Sequence, residues 1–147
     1  MKKHTFTLIA LIVLVSSMAV GAQAQTARHT RLIASIPFPF NVGDKAMPAG
    51  EYTISQVNPL SDNAVVQLRA KDGSRTVMIQ VNNVIGRCSE STRLVFNRYG
   101  SQYFFAQVWV TGEATGWQAP KSKAERLRRQ ELAGMKPESE TVALSRR

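Results

Sequence analysis

Histidine, cysteine and aspartate are scarce in this chain of 147 residues, which holds two, one and three of them. The shortage removes most side-chain chemistries at the outset. His4 lies beside an N-terminal apolar run, which leaves His29 as the histidine of the remaining chain. A Ser-His-Asp or Cys-His relay needs a histidine held against its nucleophile, and His29 sits in a polar stretch expected to fray. Zinc sites draw on sets of Cys and His, which this chain does not supply. With Cys88 alone, no intramolecular disulfide can form. In Gly86-Arg87-Cys88-Ser89 the thiol falls on a turn and is read as inert, with an intermolecular disulfide as the alternative. Asp44, Asp62 and Asp72 all fall in turn sequences, where a carboxylate ordinarily bonds nearby backbone. Glu51, Glu90 and Glu113 are the only other acids before residue 120, and no pattern pairs two of them as glycoside hydrolysis requires. Asp72-Gly73 belongs to a hairpin rather than a calcium loop. The sequence therefore assigns no catalytic residue, metal ligand or cofactor, and a hydrolase is the least favoured reading.

Long hydrophobic runs are also missing, except at the start. Lys2, Lys3 and His4 precede an apolar stretch over residues 6–20, and Ala22 and Ala24 give the A-x-A pattern read by signal peptidase. Residues 1–24 are thus expected to be a signal peptide. The alternative is a retained anchor, but this run is shorter than the ~20 apolar residues a spanning helix needs. Removing Lys2 and Lys3 lowers the net charge from +9 to +7. A chain this basic attracts anionic partners. Outside the cytoplasm those are envelope polymers and lipid headgroups, not nucleic acid. The expected location is the periplasm or the extracellular space.

What remains reads as β structure. Residues 32–36 form a first strand, and Pro37-Phe38-Pro39-Phe40 fixes an extended edge with both phenylalanines aimed at the core. Residues 51–57 follow as a strand in which Tyr52 and Ile54 share a face. Residues 64–70 and 75–85 flank an Asp-Gly turn, with Val77, Ile79, Val81 and Ile85 inward. Residues 93–97 and 103–110 form a second hairpin, whose return strand is apolar on both faces and therefore central or covered. At Pro120 the composition changes. Ser122 and Glu125 make a capping box for a helix over residues 123–133, with too few apolar residues for firm docking. Residues 135–147 are expected to trail as a flexible tail, with 141–144 as an optional terminal strand. The division is a signal peptide (1–24), an antiparallel β-sandwich or open barrel (25–119), and a charged helix with tail (120–147).

Two features suggest binding. Tyr99, Tyr103 and Trp117 are aromatics able to stack on sugar rings or form an interface, with Trp117 expected in an exposed loop. Arg93 and Arg98 belong to a basic set able to meet an anionic polymer, glycan or protein. Self-association through the strand at 103–110 is compatible with either. The competing reading is that the aromatics are core and the cations a solvated face. The leading expectation is a non-enzymatic envelope domain that binds or scaffolds, and the alternative is a carbohydrate-binding module.

Ile36-Pro37-Phe38-Pro39-Phe40-Asn41-Val42-Gly43, followed by Met47-Pro48-Ala49-Gly50-Glu51-Tyr52, resembles the opening of a group of small exported bacterial β-rich proteins. Members similarly carry a hairpin like Leu68-Arg69-Ala70-Lys71-Asp72-Gly73. They also carry a segment like Leu94-Val95-Phe96-Asn97-Arg98-Tyr99-Gly100, with Tyr103-Phe104 and Trp109 after it. The resemblance spans residues 32–129 and ends on a segment like Lys121-Ser122-Lys123-Ala124-Glu125-Arg126. It implies one shared β fold and carries over neither a function nor a site residue.

Overall fold

The computed structural model describes residues 31–58, 64–132 and 137–146. The segment expected to be a signal peptide, with its expected cleavage site, and His29 and Asp62 lie outside the described residues. The strands are β1 (Arg31–Ile36), β2 (Phe40–Val42), β3 (Lys45–Met47), β4 (Gly50–Gln56), β5 (Ala64–Ala70) and β6 (Thr76–Ile85). After them come β7 (Arg93–Tyr99), β8 (Gln102–Trp109), β9 (Thr115–Gln118), helix α1 (Lys123–Glu131), β10 (Glu138–Ala143) and β11 (Ser145–Arg146).

Alternation of inward apolar and outward, mostly polar residues builds the first half. Leu32, Ala34 and Ile36 on β1, Tyr52 and Ile54 on β4, and Val66, Leu68 and Ala70 on β5 all turn inward. The hydrogen-bonded path runs β10-β7-β8-β9-β6-β5-β4-β1-β11 and is not closed into a barrel. Antiparallel pairing dominates, and the parallel contact of β2 with β8 makes the sheet mixed. β6 joins the two halves, pairing β5 through Val81 and β9 from Asn82 onward. Phe40 links the halves across the core, meeting Tyr52 on β4 at 5.2 Å and Phe96 on β7 at 5.4 Å, both edge to face.

The change of partner within β6 corrects one expectation. Asn82 and Asn83 are both exposed, so the inward phase set by Val77 and Val81 slips by one residue. Ile85, expected inward, is consequently 86% exposed. A strand that passes from one half of a sheet to the other changes twist and breaks its own alternation.

Trp109 is buried on β8 because two glycines leave room for its ring. A Cβ built on Gly116 would stand 2.8 Å from ring carbons of Trp109 and 2.9 Å from the Val108 carbonyl, and one on Gly86 2.6 Å from the ring. Gly116→Ala is therefore expected to destabilise the fold by about 1–3 kcal/mol through overpacking. Thermal melting checks it, and Trp109→Leu in the same chain should recover part of the loss.

The capping box forms as read: Ser122 Oγ accepts from the Glu125 N–H at 3.1 Å. The helix ends at Glu131 rather than Ala133, and it docks by polar rather than apolar contact. Glu125 is 3% exposed, and its Oε1 accepts from Asn97 Nδ2 at 2.8 Å and from the Tyr99 hydroxyl at 3.3 Å. Leu127, the obvious apolar anchor, is half exposed.

The C-terminal segment is the larger correction. Residues 138–143 are not trailing chain but β10, paired with β7 from Glu138↔Arg98 to Ala143↔Arg93. Val142 and Leu144 pack against the core, and the Leu144 N–H donates to the Thr92 carbonyl at 2.9 Å. β11 then pairs with β1 at the other end of the path. The β domain therefore does not stop at residue 119.

Candidate functional site

The residues singled out from sequence do not converge. Tyr99 is buried beneath α1 against Phe104 and Glu125, so it offers no face to a ligand. Trp117 is half-buried and packs against the core, opposite Val108 in the ladder, which corrects its expected exposure in a loop. Tyr103 is half-buried too, with Phe38 stacked on it at 3.9 Å and the Arg98 guanidinium 5.7 Å from its ring centroid. Arg98 also donates to the Gly100 carbonyl and pairs with Glu138 at 3.5 Å. Arg93 lies at the far end of β7, 5.8 Å from the Trp109 ring, and donates to Ser89 Oγ at 2.6 Å. β8 is flanked by β7 on one side and by β2 and β9 on the other, so its ladder edges are taken.

Three hollows of about 340, 250 and 450 Å³ instead surround the β5–β6 hairpin. Lys71-Asp72-Gly73-Ser74 turns the chain. The Gly73 N–H donates to the Ala70 carbonyl at 2.9 Å, and Gly73 adopts a φ of 74° that only glycine takes without strain. Asp72 closes the turn by accepting from the Ser74 N–H at 2.9 Å and the Ser74 hydroxyl at 2.7 Å. These bonds, the backbone one foremost, hold its carboxyl below the usual aspartate value, so it stays ionised. Asp44 is similarly structural, accepting from the Ala124 N–H at 3.4 Å.

The second and third hollows are lined by cations with no carboxylate among them, whereas the first sets a single lysine beside Glu51 and Asp72. The first contains Lys71, the second Arg31 and Arg69 besides Lys71, and the third Lys45 and Arg75. Lys71 pairs with Glu51, and Arg75 donates to the Ala46 carbonyl at 2.8 Å. Arg31, Lys45, Arg69 and Arg75 have no carboxylate partner among the described residues. Five cations thus stand against two carboxylates, Glu51 and Asp72. Sequence reading missed this end because Arg31 and Arg69 lie 38 positions apart, and only the β1-β4-β5 register places them on one face. The outward alternation of Val65, Gln67 and Arg69 was the available signal.

The chain matches no family model, no curated protein and no solved structure. Among the described residues no three His, Cys, Asp or Glu side chains gather as metal ligands, and no helix is long and apolar enough to cross a membrane.

Tyr52, which lines the first hollow, donates its hydroxyl to the Pro48 carbonyl at 2.6 Å. Burial raises its pKa above 10.0, against a smaller opposing effect from Arg75. Burial, then the Glu125 carboxylate, does the same to Tyr99. Above pH ~10 the unfolded chain releases protons that these two hydroxyls keep when folded. Stability is therefore expected to be level with respect to these groups below that pH and to fall as pH rises through it. Urea unfolding at a series of alkaline pH values should show a shallower fall for Tyr52→Phe/Tyr99→Phe. Equal slopes would contradict the assignment.

Proposed function

We propose that this chain is an exported, non-catalytic binding domain of the cell envelope. It holds an anionic envelope component on the basic end around the β5–β6 hairpin. The observation that carries this reading is the coincidence of the two hollows that hold no carboxylate with five cations, four of them without a carboxylate partner among the described residues. Concave surfaces lined by one sign of charge focus the field and draw in oppositely charged ligands. Export rests on the N-terminal sequence, and the net charge of +7 after cleavage favours anions throughout. The non-catalytic part rests on the poor supply of histidine and cysteine, and on Asp72 being committed to its own turn and Asp44 to the backbone at the start of α1.

The rival reading, a carbohydrate-binding module that stacks sugars on exposed aromatics, draws little from Tyr99, Tyr103 and Trp117. All three are at least half covered by protein. Melting of residues 25–147 against acidic and neutral polysaccharides, peptidoglycan fragments and anionic lipid vesicles separates the two. An anionic ligand at a hundredfold excess over its Kd should raise the midpoint by roughly 8 °C, since it adds about 2.7 kcal/mol. That shift should shrink at high salt. A shift produced by a neutral sugar and indifferent to salt would favour the aromatics.

A further inference from the structure

We propose that the outer face of β1, β4 and β5 is a subsite for an acidic saccharide, one that carries carboxylate groups among its hydroxyls. The inference rests on the anion-binding reading above and specifies its ligand. The ladder registers set Arg31 opposite Ser55, Ser55 opposite Gln67 and Thr53 opposite Arg69. Neighbouring strands lie about 4.8 Å apart, and alternate residues along a strand about 6.6 Å apart. Arg31 and Arg69 therefore flank β4 from either side, one row apart, and their long side chains rise beside the hydroxyls between them. The hollow of about 250 Å³ lies there, lined by Arg31, Thr53, Ser55, Gln67, Arg69 and Lys71.

Its floor and rim differ in chemistry. Thr53, Ser55 and Gln67 are half-buried, and none of their side chains has a hydrogen-bond partner among the described residues. Each offers both donor and acceptor capacity, the pairing that sugar hydroxyls need. At the rim, Arg31 and Arg69 are exposed and without carboxylate partners, and a guanidinium fork matches a carboxylate bidentately. The inward phase of β4 sends Tyr52 to the opposite face, so no ring is available here for stacking. A ligand that satisfies floor and rim together carries hydroxyls and carboxylates at sugar spacing. A polyphosphate satisfies the rim alone, and so does a lipid headgroup layer.

Titration of residues 25–147 with a uronic-acid oligomer, a neutral oligosaccharide of equal length, inorganic polyphosphate and phosphatidylglycerol vesicles tests the assignment. The uronic-acid oligomer should bind at least tenfold more tightly than the neutral one. Arg31→Ser/Arg69→Ser should weaken both uronic-acid and polyphosphate binding by about tenfold or more. Thr53→Val/Gln67→Ala should weaken the uronic-acid oligomer by about five- to tenfold and leave polyphosphate unchanged. Unchanged melting of each variant controls for folding. If polyphosphate or vesicles bind as tightly as the uronic-acid oligomer, and the floor variant binds it like the parent, the saccharide assignment fails while the anion-binding reading stands. Equal binding of the neutral oligomer overturns the role given to the rim. Absence of binding to any anion overturns both readings.

Discussion

Phe96→Ala is expected to lower the melting midpoint of this domain by roughly 10–15 °C. Phe96 is fully buried on β7 and is the common partner of three other rings. Phe38 lies 5.3 Å from it, Phe40 5.4 Å and Phe105 6.2 Å, all edge to face. Those rings come from the segment before β2, from β2 itself and from β8. Truncation thus opens a cavity where the two halves of the sheet meet, not at the margin of one. Phe→Ala in such a setting costs about 3–5 kcal/mol, a large share of the roughly 5–15 kcal/mol that holds a domain of this size. At about 3–4 °C per kcal/mol the midpoint shift follows. Val65→Ala, on the half-exposed outer face of β5, serves as control and should move it by no more than about 2 °C. A Phe96→Ala shift as small as the control's would mean that the aromatic cluster does not join the halves.

Removal of residues 137–147 is expected to lower the midpoint by about 10 °C and to make the chain self-associate. Two contributions add. Val142 and Leu144 leave the core margin, each worth about half of the 1.5–3 kcal/mol of a fully buried side chain. The six-residue ladder with β7 is lost as well, baring the N–H and C=O groups of a strand that carries Leu94 and Phe96. A freed edge of that kind is a template for pairing with another chain. Sedimentation or light scattering of the truncated protein reads the association, and calorimetry reads the stability. A truncated chain that stays monomeric with an unchanged midpoint would restore the view of this segment as a passive tail.

That segment illustrates where the amino-acid order is informative and where it is not. Strand identity was legible wherever one face is buried and the other wet, as in β4 and β5, because the two-residue period reports burial directly. It became illegible at Asn82-Asn83, where a change of partner slips the phase and turns Ile85 outward. It was nearly illegible at β10, where the short run Val142-Ala143-Leu144 follows four polar residues and the edge it covers belongs to β7, some 45 positions earlier. The capping box named Ser122 and Glu125 correctly but could not show that the same carboxylate reaches Asn97 and Tyr99. Trp117 reads as a loop residue because Gly116 and Gln118 flank it, yet Gly116 is small to admit Trp109. The basic end was hidden for a similar reason. Arg31, Thr53, Gln67 and Arg69 become neighbours only through inter-strand register, which leaves no local trace in the chain.

Hydrogen–deuterium exchange of residues 25–147, alone and with an acidic polysaccharide at low salt, tests the central claim most directly. The basic hairpin end as the binding surface predicts new protection confined to residues 31–35, 45–55 and 67–77. Protection centred on residues 99–103 and 115–118, or none anywhere, would contradict it.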